Sequence, residues 1–164
     1  MKQQDRLLVV IVVGIIAVVV VTLAVALLRP QPEFRSDDSA EAVAHNYLLA
    51  LQQGGYAQAY SYLSPQLAQY PADVDTFVTQ LNGYDPYDVA GDETTLAVLS
   101  SRGTDTARIV VVEQSHFYSG GLFDSGRYET SFEMRVERVN GQWRILDSDR
   151  YFNSCWSHAD RSCP

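Results

Sequence analysis

The chain has 164 residues, a formal net charge of −8 and 46% hydrophobic residues, with two cysteines and a single lysine, Lys2, beside eleven arginines. That length fits one domain plus an appendage, and the near-average composition excludes wholesale disorder and disulfide-dense scaffolds. The acidity argues against a nucleic-acid partner, which needs a basic surface.

The first element is the strongest. Leu7 to Leu28 is a run of 22 residues without a charge, reaching about 33 Å as a helix against a hydrocarbon core of ~30 Å. Its many Val and Ile residues suit lipid, where the backbone must satisfy its own hydrogen bonds. The rival reading is a cleaved signal peptide, because Ala24-Val25-Ala26 matches a small-x-small cleavage pattern, but signal cores are typically ~7–15 residues. The expected anatomy is a cytoplasmic N-terminus over residues 1–6, a transmembrane helix over 7–28 and a linker over 29–37, stiffened by Pro30 and Pro32. Lys2 and Arg6 before the span and Arg29 and Arg35 after it give only a slight positive-inside bias.

From Asp38 the pattern is helical. Asp38 can cap a helix with Glu41 in the capping-box position, followed by Val43, Tyr47, Leu48 and Leu51 at helical spacing and a stop at Gly54-Gly55. Further helices are expected over Tyr56–Leu63, from Ser64-Pro65, and over Asp73–Leu81 with a stop at Asn82-Gly83. The second half reads as antiparallel sheet. Residues 94–101 and 106–117 pair around Arg102-Gly103-Thr104-Asp105, and a longer loop lies between Ser119-Gly120-Gly121 and Asp124-Ser125-Gly126. Tyr128, Thr130, Phe132, Met134 and Val136 then alternate with Glu129, Ser131, Glu133, Arg135 and Glu137, as in a strand buried on one face. Asn140-Gly141 is a two-residue hairpin turn leading into a last strand with Trp143 and Ile145 inward. The order is α+β, helices packed on a curved antiparallel sheet over residues 38–152, then a tail over 153–164.

Charge divides along the same seam. Residues 31–100 hold ten acids and one base, residues 101–164 nine acids and eight bases. The acidic helical half is either a solubilising face or a dock for a basic soluble partner. Cys155 and Cys163 enclose a short loop and form a natural disulfide if the domain is outside the cytoplasm, which places the N-terminus inside. Cys155, His158 and Cys163 as metal ligands are the weaker alternative, because a structural zinc site wants four ligands at tighter spacing. His45, His116 and His158 are not spaced as a metal set. No Gly-x-Ser-x-Gly elbow, Gly-rich phosphate loop or haem-attachment motif occurs, so no catalytic residue, metal or cofactor is assigned.

The stretch Ala44-His45-Asn46-Tyr47-Leu48-Leu49-Ala50-Leu51-Gln52-Gln53-Gly54-Gly55-Tyr56-Ala57-Gln58-Ala59-Tyr60-Ser61-Tyr62-Leu63-Ser64-Pro65 resembles the opening of the nuclear-transport-factor-2-like superfamily, which includes the SnoaL and ketosteroid-isomerase types. Asn140-Gly141-Gln142-Trp143-Arg144-Ile145-Leu146 resembles its usual final strand. The resemblance implies a cone in which a curved sheet wraps helices, often around an apolar pocket, for which Tyr128, Phe132, Met134 and Trp143 are the candidate lining. The isomerases of that superfamily carry a carboxylate or histidine inside the cone, and the inward positions here supply neither. The expected function is therefore that of a non-enzymatic, membrane-anchored extracytoplasmic domain in a bacterial cytoplasmic membrane. It would serve as an accessory or scaffold subunit of a larger membrane protein assembly, of which an electron-transfer complex is one example. The alternatives are a module binding a small molecule or lipid in the cone, and a cone-type isomerase or lyase.

Overall fold

The computed structural model describes residues 3–27, 32–84, 94–121, 124–161 and 163, with side chains over 9–24, 32–81, 94–118, 126–161 and 163. The chain divides into two compact units, Met1–Pro32 and Glu33–Pro164.

The first unit is helix α1, Gln3–Leu27. After Arg6 its sequence is apolar save for Gly14 and Thr22, and each of its described side chains, Val9 to Ala24, is exposed. Those 16 residues span about 24 Å, short of a ~30 Å hydrocarbon core. Among the described residues no helix is long and apolar enough to cross a membrane. Leu28 and linker residues 29–31 lie outside the described residues.

The second unit opens with α2 (Ala40–Gln52), α3 (Tyr56–Ser61) and α4 (Val74–Tyr84). Ser39, rather than Asp38, caps α2: its hydroxyl accepts from the Ala42 N–H at 3.0 Å, while Asp38 is drawn to Arg138 at 2.7 Å. The small residues Ala40, Ala42, Ala44 and Ala50, all buried, let α2 lie close against all four strands. Ser64-Pro65 starts a turn and not the expected helix. The backbone there is already committed to the sheet, with Ser64 N–H donating to the Ile145 carbonyl at 2.8 Å and Ile145 N–H donating to Tyr62 at 2.9 Å. Asp73 caps α4 by accepting from the Thr76 N–H at 2.7 Å, and α4 continues through Asn82-Gly83 to Tyr84.

Strands β1 (Thr94–Gly103), β2 (Ala107–Gly121), β3 (Asp124–Val139) and β4 (Gln142–Ser148) form one antiparallel meander in sequential order. Positive φ at Asn140 (51°) and Gly141 (82°) gives the expected tight turn between β3 and β4. β2 and β3 outrun the expected loop: Tyr118 pairs with Gly126, Ser119 with Ser125 and Gly121 with Asp124. Helices followed by a four-stranded antiparallel sheet make an α+β domain, the order expected from the sequence. Its core is filled by Tyr47, Phe77, Val110, Val112, Met134, Ile145, Tyr151 and Trp156, all fully buried. Tyr151 and Trp156 come from beyond β4, so the segment through Trp156 belongs to the body of the domain. There a short helix, α5 (Ser154–Ser157), buries Cys155 and Trp156.

Candidate functional site

Strand pairing builds one wall of an open polar cleft. Arg138 and Trp143 are cross-strand partners, which sets the guanidinium over the indole, 5.0 Å from the ring centroid, in cation–π range. The same guanidinium binds the Asp38 carboxylate at 2.7 Å and the Gly141 carbonyl at 3.1 Å. In the first turn of α2, Glu41 receives a hydrogen bond from the Ser101 hydroxyl and meets Arg108 at 3.4 Å; Arg108 also donates to Ser101 at 2.9 Å. Asp38, Glu41, Asp105, Arg108, Arg138 and Trp143 line an open cleft of about 440 Å³.

The cleft's chemistry is limited by its own pairing. Each arginine already holds a carboxylate, so an anionic ligand would have to displace Asp38 or Glu41. The Ser101 hydroxyl, reinforced by Arg108, keeps the Glu41 carboxyl below its ordinary value of 4.5. Glu41 is therefore ionised at neutral pH and unsuited to proton transfer there. A lowered folded pKa means the unfolded chain takes up the proton first. Its stabilising contribution is full above the unfolded value of 4.5 and is lost as pH falls through the folded value. Thermal unfolding followed from about pH 7 to about pH 3 should show a falling midpoint on the acid side, with a shallower fall in Glu41→Gln.

The four candidate pocket residues are not gathered at one place. Phe132 is 3% exposed, edge-on to Tyr151 at 5.7 Å, and Met134 is fully buried. Trp143 lies under Arg138 at the cleft. Tyr128 is 63% exposed, which corrects its expected inward position: β3 runs on past the helices, and its inner face leaves the core between Phe132 and Tyr128. Tyr128 and Arg138 are ten positions apart on β3, about 33 Å along a strand, so Tyr128 and Trp143 share no cavity. Thr130 is intermediate and Ile145 buried. Phe132, Met134 and Ile145 belong to one buried hydrophobic cluster with Tyr47, Phe77 and Trp156.

The cysteines meet as expected. Cys155 and Cys163 are disulfide-bonded, with Cα atoms 5.3 Å apart, and neither is available to a metal. Among the described residues no group of three or more His, Cys, Asp or Glu side chains could hold one. His45 Nε2 lies 3.0 Å from the Glu33 carbonyl, His116 Nδ1 3.1 Å from Thr94 Oγ1, and His158 Nδ1 2.9 Å from the Ser154 carbonyl. Of the ten acids expected to form a docking face, Asp37, Asp38, Glu41 and Asp73 are engaged locally, and residues 85, 88, 92 and 93 lie outside the described residues.

The sequence matches no family model and no curated protein. Similar solved structures include a SEC-C motif-containing protein from Rhodopseudomonas palustris, 16% identical over 71% of this chain and 81% of that one, with a TM-score of 0.47. An NTF-2-like protein of unknown function from Shewanella oneidensis is 16% identical over 65% of this chain and 90% of its own, with a TM-score of 0.42. AclR from Streptomyces galilaeus is 12% identical over 66% and 75%, with a TM-score of 0.41.

Several residues that organise the domain carry no motif. Asn46 grips the entering chain in both directions, accepting from the Arg35 N–H at 2.7 Å and donating to the Arg35 carbonyl at 2.8 Å. With His45 on Glu33, it ties the start of the domain to α2. Asn153, fully buried, donates to the Gln80 carbonyl at 2.9 Å and caps α5. Gln69 donates to the carbonyls of Cys155 and His158 at 3.3 and 2.9 Å and to that of Arg161, clasping the disulfide loop. The only sequence signal for these was an amide side chain inside an otherwise apolar stretch at Asn46.

Proposed function

We propose that the chain is a single-pass membrane protein whose domain from Glu33 onward stands outside the cytoplasm and serves as a non-enzymatic docking subunit of a larger membrane assembly. The observation that carries this reading is the stretch Val9 to Ala24 of α1, whose uncharged, Val- and Ile-rich surface lies exposed. So continuous an apolar surface has a physical rationale in lipid and none in water. The bonded Cys155–Cys163 pair supports an oxidising compartment for the domain.

Two measurements test the reading. Alkaline carbonate washing of native membranes should leave the chain in the pellet, and protease added from outside the cytoplasm should digest the domain. Gentle solubilisation and pull-down through a C-terminal tag should then recover stoichiometric membrane partners by mass spectrometry. Release by carbonate would remove the anchor, and a partnerless preparation would remove the docking role.

A further inference from the structure

The sheet does not end where the core ends. β4 accompanies β3 only from Met134 onward, where Met134 pairs with Ser148. Its own outer edge is covered by the Tyr62–Ser64 segment. β2 accompanies β3 all the way to Asp124. Among the described residues, the other edge of β3 before Glu133 therefore has no strand beside it. Backbone parity fixes which groups face outward. Glu133 N–H donates to the Asp149 carboxylate at 3.0 Å, and the Glu133 carbonyl accepts from Asp149 N–H at 3.1 Å, both on the β4 side. The register with β2 is unbroken from Ala107 to Ser119, so Ser131, Glu129 and Arg127 also turn their N–H and C=O groups outward. Such an edge is a template for another strand. Exposed aromatic rings lie on this part of the sheet: Tyr128 at 63% on β3 itself, and Phe117 at 46% and Tyr118 at 49% on the neighbouring β2.

We propose that this edge pairs with the same edge of a second copy of the chain, antiparallel about a two-fold axis at Tyr128. Outward-facing residues can bond only to outward-facing residues, which requires the axis to pass through a whole residue position. Each nearby register can then be tested by charge. An axis at Arg127 sets Arg127 against Arg127, and one at Glu129 sets Glu129 against Glu129; like charges directly opposite destabilise a pair of strands. An axis at Thr130 needs the outward groups of Glu133, which Asp149 already occupies. An axis at Tyr128 sets each Arg127 against the Glu129 of the other copy and each Ser125 backbone against Ser131. It also places the two Tyr128 side chains in a non-hydrogen-bonded pair, the closer of the two antiparallel geometries. Arg127 is already aligned for this on its own strand, with Nε 2.7 Å from Glu129 and the guanidinium 5.4 Å from the Phe117 ring centroid. The other open edge, β1, is interrupted by an irregularity between Val98 and Ser100, a device that blunts edge pairing. The result is a two-fold dimer with one continuous sheet across both copies.

The test uses the full chain in detergent micelles or nanodiscs. The two native cysteines are disulfide-bonded, so a cysteine introduced on β3 is the reporting thiol. Tyr128→Cys should form a covalent dimer on mild oxidation, several-fold faster than Arg127→Cys, Glu129→Cys or Thr130→Cys. Light scattering corrected for detergent should give the mass of two chains. Arg127→Glu and Glu129→Arg should each weaken the dimer by roughly ten-fold, and the double swap Arg127→Glu with Glu129→Arg should restore it, which misfolding could not do. Cross-linking that peaks at another position, a single-chain mass at every concentration tried, or a double swap without recovery would overturn the proposal. So would a complex in which Tyr128→Cys cross-links to a different polypeptide and never to itself. These outcomes leave the anchor and the membrane partners untouched, so they fail separately from the proposed function.

Discussion

Replacing Trp156 by alanine is expected to lower the unfolding free energy by about 3–5 kcal/mol, the largest effect of any single substitution considered for this chain. Trp156 follows the last strand and the first cysteine, yet it is fully buried and heads the side chains enclosed by the core. Its ring stacks on Phe77 from α4 at 5.3 Å and meets Phe152 edge-on at 4.9 Å. Its indole N–H donates to the Gln80 side chain at 2.7 Å, so truncation removes apolar burial and leaves a polar partner behind. Trp156→Phe keeps most of the packing and loses only the hydrogen bond, for about 1–2 kcal/mol. Chemical denaturation of the full chain in mild detergent, followed by near-ultraviolet dichroism, would order the three proteins as wild type, phenylalanine, alanine. An alanine variant as stable as the wild type would mean that α5 is an appendage and that the core closes without it.

That tail shows where the sequence stops being legible. Residues 154–161 carry neither a two-residue nor a 3.6-residue period, so nothing in their pattern marks Trp156 as core. Its burial follows from α4 and the β4 exit converging on it, which is a tertiary fact. The β3–β4 hairpin was legible for the opposite reason, since strict alternation and Asn140-Gly141 are both local signals. Ser64-Pro65 shows a local signal overruled: it has the residues of a helix start, but the neighbouring backbone reaches β4 first. Tyr128 shows a periodicity correctly recognised and wrongly located. Its side chain keeps to the inner face, but the helices that cover that face do not extend so far, and alternation says nothing about where cover ends. At the cleft, Trp143 was legible only as an inward residue of the last strand, and its grouping with Arg138, Asp38 and Glu41 was not legible. Their pairing joins residues about a hundred positions apart (Asp38 with Arg138), and no spacing rule links them.

The second large effect concerns the disulfide, and it separates covalent from non-covalent closure of one loop. Cys155 and Cys163 are eight positions apart, and in the chain-entropy model closing so short a loop stabilises by about 2–3 kcal/mol. The same loop is also held from outside by Gln69. Beyond the bonds of its side chain, its N–H donates to the Trp156 carbonyl at 3.1 Å and its side-chain oxygen accepts from Cys163 N–H at 3.4 Å. Cys163→Ser is therefore expected to cost up to about 2–3 kcal/mol, less than Trp156→Ala because the loop keeps its polar clasp. Gln69→Ala should cost about 1–2 kcal/mol with the disulfide intact. Because both act on one loop, the double variant should not be the sum of the two. Once the disulfide is gone, the clasp must supply the loop's order alone and its loss should weigh more heavily. A double-mutant cycle by chemical denaturation measures that coupling, and additive costs would show that Gln69 decorates a loop already fixed by the bond. The same bond reports on the compartment. Thiol labelling of unreduced native membranes should leave Cys155 and Cys163 unmodified, and labelling of both would place the domain on the reducing side of the bilayer, against the topology proposed above.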